Sequence, residues 1–406
     1  MSSENWKFFK IGDLGRVITG KTPPTVNKEN FDGNYPFITP VDMNGLKEIH
    51  KTNRTLSETG KQLMKNYLLP KDTICVSCIG SDMGKVVKTT KPSFTNQQIN
   101  SIICNENFDA DFVYYALTLL SPELKNIGHQ STAVPIINKT DFSLFEILAP
   151  ENKEQQGKIA NILSSFDLKI ENNRQTNETL EELVKTLFQE MCVSKSAELH
   201  DGWQILKLEE FIELKNGYAF KGMDFIDEGV PVIKIKNVKA GKVILNQLSY
   251  VSREVADKAQ RFRIKQNDLL ITMSGNRIDG TPETWVGKVG IFHRDGEYLL
   301  NQRVSILNII DENKMSKYFL SQLLSSEEYQ YYFISNATSS GGQANISPDL
   351  IYNTEIVVPP IEQLQKFNKL AKDIYNKIFA NELEIETLTS LRDSLLPKLM
   401  KGEINV

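Results

Sequence analysis

The sequence predicts an internally duplicated α+β fold, in which two mixed α/β arms are separated by two long helices that form an antiparallel coiled coil. Three observations predict it: a series of motifs occurs twice in one order, a long amphipathic helix follows each series, and Gly, Pro and Asn recur between short apolar runs. The expected boundaries are 1–150 for the first arm, 151–198 for its helix, 199–358 for the second arm and 359–406 for the C-terminal helix.

The duplicated motifs begin at two tryptophans. Trp6-Lys-Phe-Phe-Lys is matched by Trp203-Gln-Ile-Leu-Lys, and a glycine follows each at the same distance, Gly20 in the first arm and Gly217 in the second. The later pairs are, in order, YPFITPV with VPVIKIK, LLPKDTICVSCIG with RIKQNDLLITMSG, GKVV with GKVG, and NQQIN with NQRVS. Self-similarity of this kind predicts that the two arms share one fold.

Each arm is followed by a helix whose apolar residues recur every three or four positions, as in a coiled-coil seam. The seam consists of Ile162, Phe166, Ile170, Asn173, Leu180 and Leu187 in the first helix and Ile374, Ile378, Asn381, Leu388 and Leu395 in the second. A helix of about 33 residues is marginal alone in water, so we expect the two to pack on each other. The alternative is that each helix packs on its own arm.

The register of these helices depends on two polar seam positions. Asn173 and Asn381 are equivalent in the repeat, and a polar residue in a seam costs stability but can fix the register. If the helices run antiparallel, a pseudo-twofold axis relates the arms. At 1.5 Å per residue, the helices would then hold the arms about 50 Å apart.

One segment, GRVITGKT (15–22), fits the nucleotide-binding pattern G-x-x-x-x-G-K-[ST] letter for letter. A phosphate-binding loop must open a helix, but Pro23 and Pro24 follow directly and oppose helical geometry. The corresponding segment of the second arm, FIELKNGYAF, lacks the lysine and threonine. Nucleotide hydrolysis is therefore excluded.

Composition limits the remaining functions. The net charge of −4 excludes a basic protein, so any contact with nucleic acid must use segregated cations or a partner. The four histidines are scattered, and the single Cys75-x-x-Cys78 pair is better explained by buried strand thiols than by zinc. We find no catalytic constellation, metal site or bound cofactor, and no signal peptide or apolar span for a membrane, so we expect a cytoplasmic binding protein.

Several loops combine glycine, short polar side chains and a cation, which suits contact with phosphates and base edges. They are GKTPPT (20–25), GSDMGK (80–85), GYAFKG (217–222), SGNRIDGTPETWVGK (274–288) and ATSSGGQAN (337–345). The candidate DNA contacts are Lys21, Thr22, Thr25, Ser81, Lys85 and Gln97 in the first arm and Lys221, Lys234, Lys236, Asn237, Asn276, Arg277, Lys288 and Arg303 in the second. The competing interpretation of any one of them is a solvated surface side chain.

Taken in order, the duplicated motifs, the helix starts PENKEQQ and PPIEQ, and the terminal LLPKLMKGEI resemble the specificity subunit of type I restriction–modification systems over essentially the whole chain. The resemblance implies that each arm is a target recognition domain for one half of a split site in double-stranded DNA. It also implies that the helices set the gap between the halves and that the subunit is not itself an enzyme.

The same resemblance implies the partners. Two methyltransferase subunits would dock on the exposed helix faces and arm–helix junctions and use S-adenosylmethionine to methylate adenine. Restriction subunits that use ATP and Mg²⁺ would join the full complex. Since the arms differ in sequence, they should read different half-sites, about one helical turn or slightly more apart in the major groove. The alternative function is a repeat-built scaffold that binds proteins without recognising DNA.

Overall fold

The computed structural model describes residues 6–129, 135–193, 202–277, 284–340 and 342–406. The chain forms two compact units: the first combines the sequence up to Gln175 with Glu382–Val406, and the second is Thr176–Asn381. Each unit therefore contains one arm and one part of each long helix.

The first unit is built on three sheets. Its strands are β1 (Trp6–Lys10), β2 (Gly15–Thr19), β3 (Phe31–Ile38), β4 (Glu48–Ile49), β5 (Arg54–Leu56), β6 (Ile74–Ser77), β7 (Val86–Thr89), β8 (Phe94–Thr95), β9 (Ile99–Cys104) and β10 (Glu146–Pro150). Its helices are α1 (Ile11–Leu14), α2 (Glu58–Leu63), α3 (Ala110–His129) and α4 (Lys139–Leu144), followed by the start of α5 (Lys153–Cys192). The sheet orders are β2-β9-β6-β7-β4, β5-β3-β8 and β1-β10.

The second unit repeats this plan. Its strands are β11 (Gln204–Lys207), β12 (Ile212–Asn216), β13 (Phe225–Ile226), β14 (Val230–Ile233), β15 (Val238–Lys239), β16 (Gly241–Val243), β17 (Ser249–Val251), β18 (Arg263–Ile264), β19 (Leu269–Thr272), β20 (Ser274–Gly275), β21 (Val289–Ile291), β22 (Tyr298–Leu300), β23 (Val304–Ile309), β24 (Thr338–Ser340), β25 (Gln343–Asn345) and β26 (Glu355–Val358). Its helices are α6 (Arg253–Lys258), α7 (Lys317–Leu324), α8 (Glu327–Asn336), α9 (Pro348–Tyr352) and the start of α10 (Ile361–Met400).

The sheet orders of the second unit are β12-β23-β19-β21-β16-β15, β13-β17-β14-β22-β18, β11-β26 and β20-β25-β24. The main sheet of the first unit, β2-β9-β6-β7-β4, thus reappears as β12-β23-β19-β21-β16, and β1-β10 reappears as β11-β26. The predicted duplication is confirmed, and with it the α+β fold class.

The helix caps are duplicated as well. Ser57 begins α2 and Ser252 begins α6, and each side-chain oxygen accepts a hydrogen bond from a main-chain N–H in the first turn. Asn138 and Ser347 cap α4 and α9 in the same way. Equivalent short helices therefore start at equivalent polar residues, although their sequences differ.

Each main sheet has a left-handed residue two positions before its central strand. Asp72 precedes β6 with φ 63°, and Asn267 precedes β19 with φ 70°. Asp and Asn are the non-glycine residues that adopt this conformation most readily. The structure thus aligns Asp72 with Asn267, which precede equivalent strands of the two main sheets.

Within each unit the parts of α5 and α10 run antiparallel and touch. In the first unit, Asp167 on α5 bonds Arg392 on α10 at 2.6 Å, and Asn173 bonds Glu384 at 2.8 Å. In the second unit, the side chain of Gln363 near the start of α10 reaches the main-chain oxygen of Met191 near the end of α5. All the seam residues predicted from the sequence are buried or half-buried on these helices.

The helices also close the cores of the arms. In the first unit, Leu163 of α5 and Leu399 of α10 belong to the same apolar cluster as Phe112 of α3. In the second unit, Phe188 of α5 and Phe367 of α10 pack in one cluster with Phe319 of α7. Helix therefore packs on helix within each unit, and each arm packs on a part of both helices rather than only on the helix that follows it in the sequence.

The two chemical motifs that the sequence analysis rejected have structural roles. GRVIT forms β2, and the following residues 20–27 are extended or turn-like, so no phosphate-binding helix begins there. Cys75 and Cys78 are buried, which confirms the interpretation as strand thiols, and burial raises their pKa to about 12 and about 11. Among the described residues, no helix combines the length and apolar character needed to cross a membrane.

Candidate nucleic-acid interface

In each arm, a glycine packs against a turn that begins with Asn-Gln, Asn96-Gln97 in the first arm and Asn301-Gln302 in the second. A Cβ atom at Gly20 would lie 2.2 Å from the main-chain oxygen of Asn96, and one at Gly217 would lie 2.3 Å from that of Asn301. Such distances leave no room for a larger residue. The duplicated glycines thus place the polar segment after β2 or β12 beside the turn that precedes β9 or β23.

In the first arm, this contact brings three candidate DNA-binding residues close together, Lys21, Thr22 and Gln97. The Thr22 hydroxyl donates a hydrogen bond of 2.8 Å to the side-chain oxygen of Gln97, and the Lys21 ammonium lies 5.8 Å from the ring centre of Tyr67. Lys21 and Gln97 are exposed, as is Thr25 farther along the loop. The arrangement presents an ammonium group and an oriented amide on one surface.

The loop GSDMGK (80–85) of the first arm is stabilised by an ion pair between two of its own residues. The Lys85 ammonium lies 2.8 Å from the Asp82 carboxylate and 3.0 Å from the main-chain oxygen of Pro40. Ser81 is exposed in the short 3-10 turn Gly80–Asp82. Lys85 therefore ties two turns together, and Ser81 is the residue of this loop that faces solvent.

Asn237 differs from the expectation of a surface contact. Its side chain is 1% exposed, its oxygen accepts a hydrogen bond of 3.1 Å from the main-chain N–H of Lys234, and its amide reaches the main-chain oxygen of Ile244 at 3.2 Å. Asp42 makes the equivalent turn contact with Thr39 in the first arm. The prediction of direct DNA contact by Asn237 is wrong because the side chain stabilises the turn.

Lys288 is also more buried than its loop sequence suggested. It is 6% exposed, and its ammonium lies 5.6 Å from the ring centre of Trp285. A side chain buried in this way does not project into solvent from the loop, so the prediction of direct DNA contact by Lys288 is wrong, as is the competing interpretation as a solvated surface lysine. Lys288 instead lines a cleft of about 250 Å³ in the second arm.

Two more candidates line the same cleft, Lys236 and Asn276, whose amide donates to the Thr284 hydroxyl at 3.1 Å. The remaining cations are more dispersed. Arg303 is exposed and its guanidinium lies 3.3 Å from the side-chain oxygen of Asn345, whereas Arg277 donates to the main-chain oxygen of Ala337 at 2.6 Å.

Lys221 and Lys234 belong to two other turns. Lys221 is exposed at the start of the turn Gly222–Asp224. The ammonium of Lys234 lies 4.3 Å from the ring centre of Phe225. Residues 278–283 and 341 of the predicted loops lie outside the described part of the chain.

An ionic network joins the first arm to the long helices. Asp111 of α3 lies 2.8 Å from the Lys47 ammonium and 2.7 Å from that of Lys88, and Lys47 also bonds the Ser164 hydroxyl of α5 at 2.6 Å. Burial opposes ionisation of Asp111, but hydrogen bonds from Lys47 and Lys88 hold its pKa below the usual value.

The network continues to the C-terminal helix. Tyr115 of α3 donates to Asp167 of α5, which also binds Arg392 of α10. Sequence reasoning missed these residues because they are far apart in the chain and match no local motif. The second unit makes a less charged junction, in which Gln322 bonds the Tyr375 hydroxyl at 2.8 Å and His293 stacks on Phe379 at 4.7 Å.

Neither arm shows a metal centre within its described residues: no group of three or more His, Cys, Asp or Glu side chains is placed to hold an ion. The surface chemistry of the arms is instead that of ammonium, guanidinium, hydroxyl and amide groups on loops. These groups can bind phosphate oxygens and base edges.

Comparison with known proteins finds one family over both arms. The family model described as "Type I restriction modification DNA specificity domain" matches residues 3–182 and again 200–389. The MjaIX specificity subunit of a type I restriction enzyme from Methanocaldococcus jannaschii is 28% identical, with 99% of this chain and 94% of that protein covered. The HindI specificity subunit from Haemophilus influenzae is 37% identical over 42% of this chain and 38% of its own length.

The fold has a solved counterpart. The crystal structure of the S subunit of a type I restriction–modification system from M. genitalium superposes with a TM-score of 0.62, at 19% sequence identity, over 98% of this chain and 97% of that one. At this identity the match establishes a shared fold.

Proposed function

Because the chain belongs to the family of type I restriction–modification DNA specificity proteins, we propose that each arm reads one half of an asymmetric bipartite DNA site. The chain is a DNA sequence-specificity subunit. The observation that carries the proposal is the double family match, one copy for each arm, on two units with the same main sheet order. The loops at equivalent places differ, KTPPT against YAFKG, so the two half-sites should differ.

The loop residues are the proposed DNA contacts. In the first arm these are Lys21, Thr22, Thr25, Ser81, Lys85 and Gln97, and in the second Lys221, Lys234, Lys236, Asn276, Arg277 and Arg303. Cations supply the salt-dependent attraction to phosphates, whereas Gln and Asn amides and Arg can discriminate base edges. With a net charge of −4, the chain must rely on such local groups rather than on bulk attraction.

The long helices are the proposed spacer between the half-sites. Their antiparallel contacts within each unit support this role, because paired helices resist bending and sliding. Insertion of seven residues at matched positions of α5 and α10 adds about 10 Å, the length of about three base pairs. The gap in the recognised site should lengthen while both half-sites stay the same.

The same helices are the proposed docking surface for two methyltransferase subunits. Apolar side chains remain exposed on them, among them Leu168 at 64%, Leu383 at 56% and Leu391 at 47%. In this arrangement the methyltransferases bind S-adenosylmethionine and methylate adenine. Restriction subunits of the full complex bind ATP and Mg²⁺, and the specificity subunit has no catalytic step of its own.

Methylation sequencing tests the proposal. A strain that expresses the chain with its methyltransferase subunit should carry methylated adenine at one two-part asymmetric sequence, and a strain without the chain should carry none at that sequence. Methylation that persists without the chain, or a protein that binds its partner but shifts no DNA duplex, would support the scaffold function instead.

A further inference from the structure

The ionic network of the first unit connects the first arm to both long helices through polar contacts. Lys47 of the arm bonds the Ser164 hydroxyl of α5 at 2.6 Å, and Tyr115 of α3 donates to Asp167 of α5. Asp167 also lies 2.6 Å from Arg392 of α10. One carboxylate therefore joins the arm, α5 and α10, and all of these residues belong to the same unit.

The charged side chains of this network are mostly enclosed. The side chain of Lys88 is 7% exposed, that of Lys47 is 10% exposed and that of Asp167 is 13% exposed. Removing charges from water is costly, and apolar side chains of similar volume at such positions are often equally stabilising or more so. Stability alone therefore does not account for charged residues at this junction.

The second unit has uncharged side chains at the equivalent positions. Equivalence follows from the starts of α3 and α7, from the starts of α5 and α10, and from the duplicated Gly-Lys-Val segments. The equivalent pairs are Lys88 and Ile291, Asp111 and Tyr318, Asp167 and Tyr375, and Arg392 and Val184. All four residues of the second unit are buried in one apolar cluster. The shared fold thus builds this junction from apolar residues in one unit and from charges in the other.

Packing around the network is incomplete, because two cavities lie beside it. A cavity of about 430 Å³ is lined in part by Lys47, Asp111 and Asp167, and one of about 200 Å³ in part by Tyr115, Asp167 and Arg392. A void beside a contact removes the neighbouring atoms that would otherwise resist small displacements. The charge-assisted hydrogen bonds are then the contacts that impose a definite distance and direction.

We infer that this network fixes the direction in which the first arm leaves the helices, so that Asp167 and Arg392 are positioning residues for the gap in the recognised site. The inference rests on the proposed function, in which the helices separate two half-sites. Apolar cores of the right volume fold stably but hold a less unique geometry, whereas buried charges can specify one arrangement. Since a base-pair step is about 3.4 Å long, a displacement of that size at the arm changes the gap by one base pair.

Gap selection tests the inference. The full chain is combined with its methyltransferase partner as wild type and as the double variant Asp167→Leu, Arg392→Leu, which replaces the ion pair by apolar side chains. Target plasmids carry the native half-sites with the native gap or with a gap one base pair shorter or longer, and sequencing measures adenine methylation. In the double variant the preference for the native gap should fall by about tenfold, as expected when the coupling between contacting residues is lost. The bases of both half-sites should stay the same.

A milder variant and a control from the second unit accompany this experiment. Tyr115→Phe removes one donor to Asp167 but keeps the ring, so it should weaken the gap preference in the same direction and by less. Lys242→Met removes an exposed ion pair between the second arm and Glu181 of α5, at 2.9 Å. It should keep the wild-type preference, because exposed pairs contribute little. Urea unfolding checks that each variant is folded, and Tyr115→Phe alone decides if the double variant is not.

The outcomes separate the inference from the proposed function. A wild-type gap preference in both network variants, once they are shown to be folded, overturns the inference. Altered bases in the first half-site also overturn it, because the network would then support the reading loops rather than the direction of the arm. A wild-type complex that methylates no defined two-part sequence refutes the proposed function itself.

Discussion

The side-chain amide of Asn381 donates a hydrogen bond of 2.7 Å to the side-chain oxygen of Asn177, and both residues are buried between the two long helices. The sequence repeat equates Asn381 with Asn173, but Asn173 binds Glu384 instead. A sequence repeat matches residues of the two helices in the same N-to-C order. In antiparallel packing, a residue early in one helix contacts a residue late in the other. The polar contact is therefore one that sequence equivalence alone does not identify.

We expect Asn381→Leu to lower the free energy of unfolding by about 1–3 kcal/mol, because it leaves the buried oxygen of Asn177 without its donor. The double variant Asn177→Leu, Asn381→Leu should recover most of this loss, since two apolar side chains face each other in the seam. Urea unfolding of both variants measures the coupling. The exposed Asn376→Leu on the same helix is the control, and equal losses in the single and double variants would contradict the pairing.

We expect Asp111→Asn to destabilise the protein by about 1 kcal/mol at pH 7, with the difference shrinking below about pH 4. The folded-state pKa of Asp111 is lowered, so its contribution is present above the unfolded-state pKa and is lost as the pH falls toward the folded-state value. Urea unfolding between pH 7 and pH 3 measures this.

Asp268→Asn is a control for the Asp111→Asn experiment, because it should change the pH dependence of stability in the opposite direction. Burial raises its pKa, so the folded state binds the proton more readily and stability falls with pH across its titration. Asp268→Asn should therefore make stability rise more steeply with pH above about pH 4. If both variants flatten the pH dependence, the assigned signs are wrong.

We expect Gly20→Ala and Gly217→Ala each to cost about 1–3 kcal/mol and to weaken DNA binding, because the added methyl group collides with a main-chain oxygen of the neighbouring turn. Gly157→Ala in α5 is the control outside the loops, since the nearest atom to a Cβ there, a carboxylate oxygen of Asp109, lies at 4.0 Å. Thermal unfolding and a mobility-shift assay measure the two effects. A tolerated Gly20→Ala would mean that the turn moves freely.

We expect Thr22→Val to relax base preference in one half-site and leave the other unchanged. The substitution removes the hydroxyl that holds the side-chain oxygen of Gln97 at 2.8 Å, so the amide loses its orientation. Methylation sequencing with each variant reports both halves at once. Changes in both half-sites, or in neither, would argue against base reading by Gln97.

Patterns that repeat locally were the ones that could be predicted from the sequence. The duplication and the helix seam depend on spacing along the chain, and the two proline residues after Lys21 were sufficient to exclude a nucleotide site. Burial was harder to foresee. Asn237 and Lys288 lie in polar, glycine-containing segments, yet tertiary contacts enclose them.

The ionic network between the first arm and the long helices could not be predicted from local sequence patterns. Lys47, Lys88, Asp111 and Asp167 come from four separate segments, and they meet only when the sheet, α3 and α5 are assembled. A half-buried charge in a strand or helix gives no periodic signal that would identify its partner. Such contacts become visible when burial and distance are known together.

The first compact unit includes the last stretch of the chain, Glu382–Val406, and Leu396, Leu399 and Met400 close its core beside Phe112. A premature stop codon before Leu396 would consequently remove core side chains of the first unit, although the second arm lies upstream of it. During translation, the core of the first unit can therefore be completed only after the whole second arm has been synthesised.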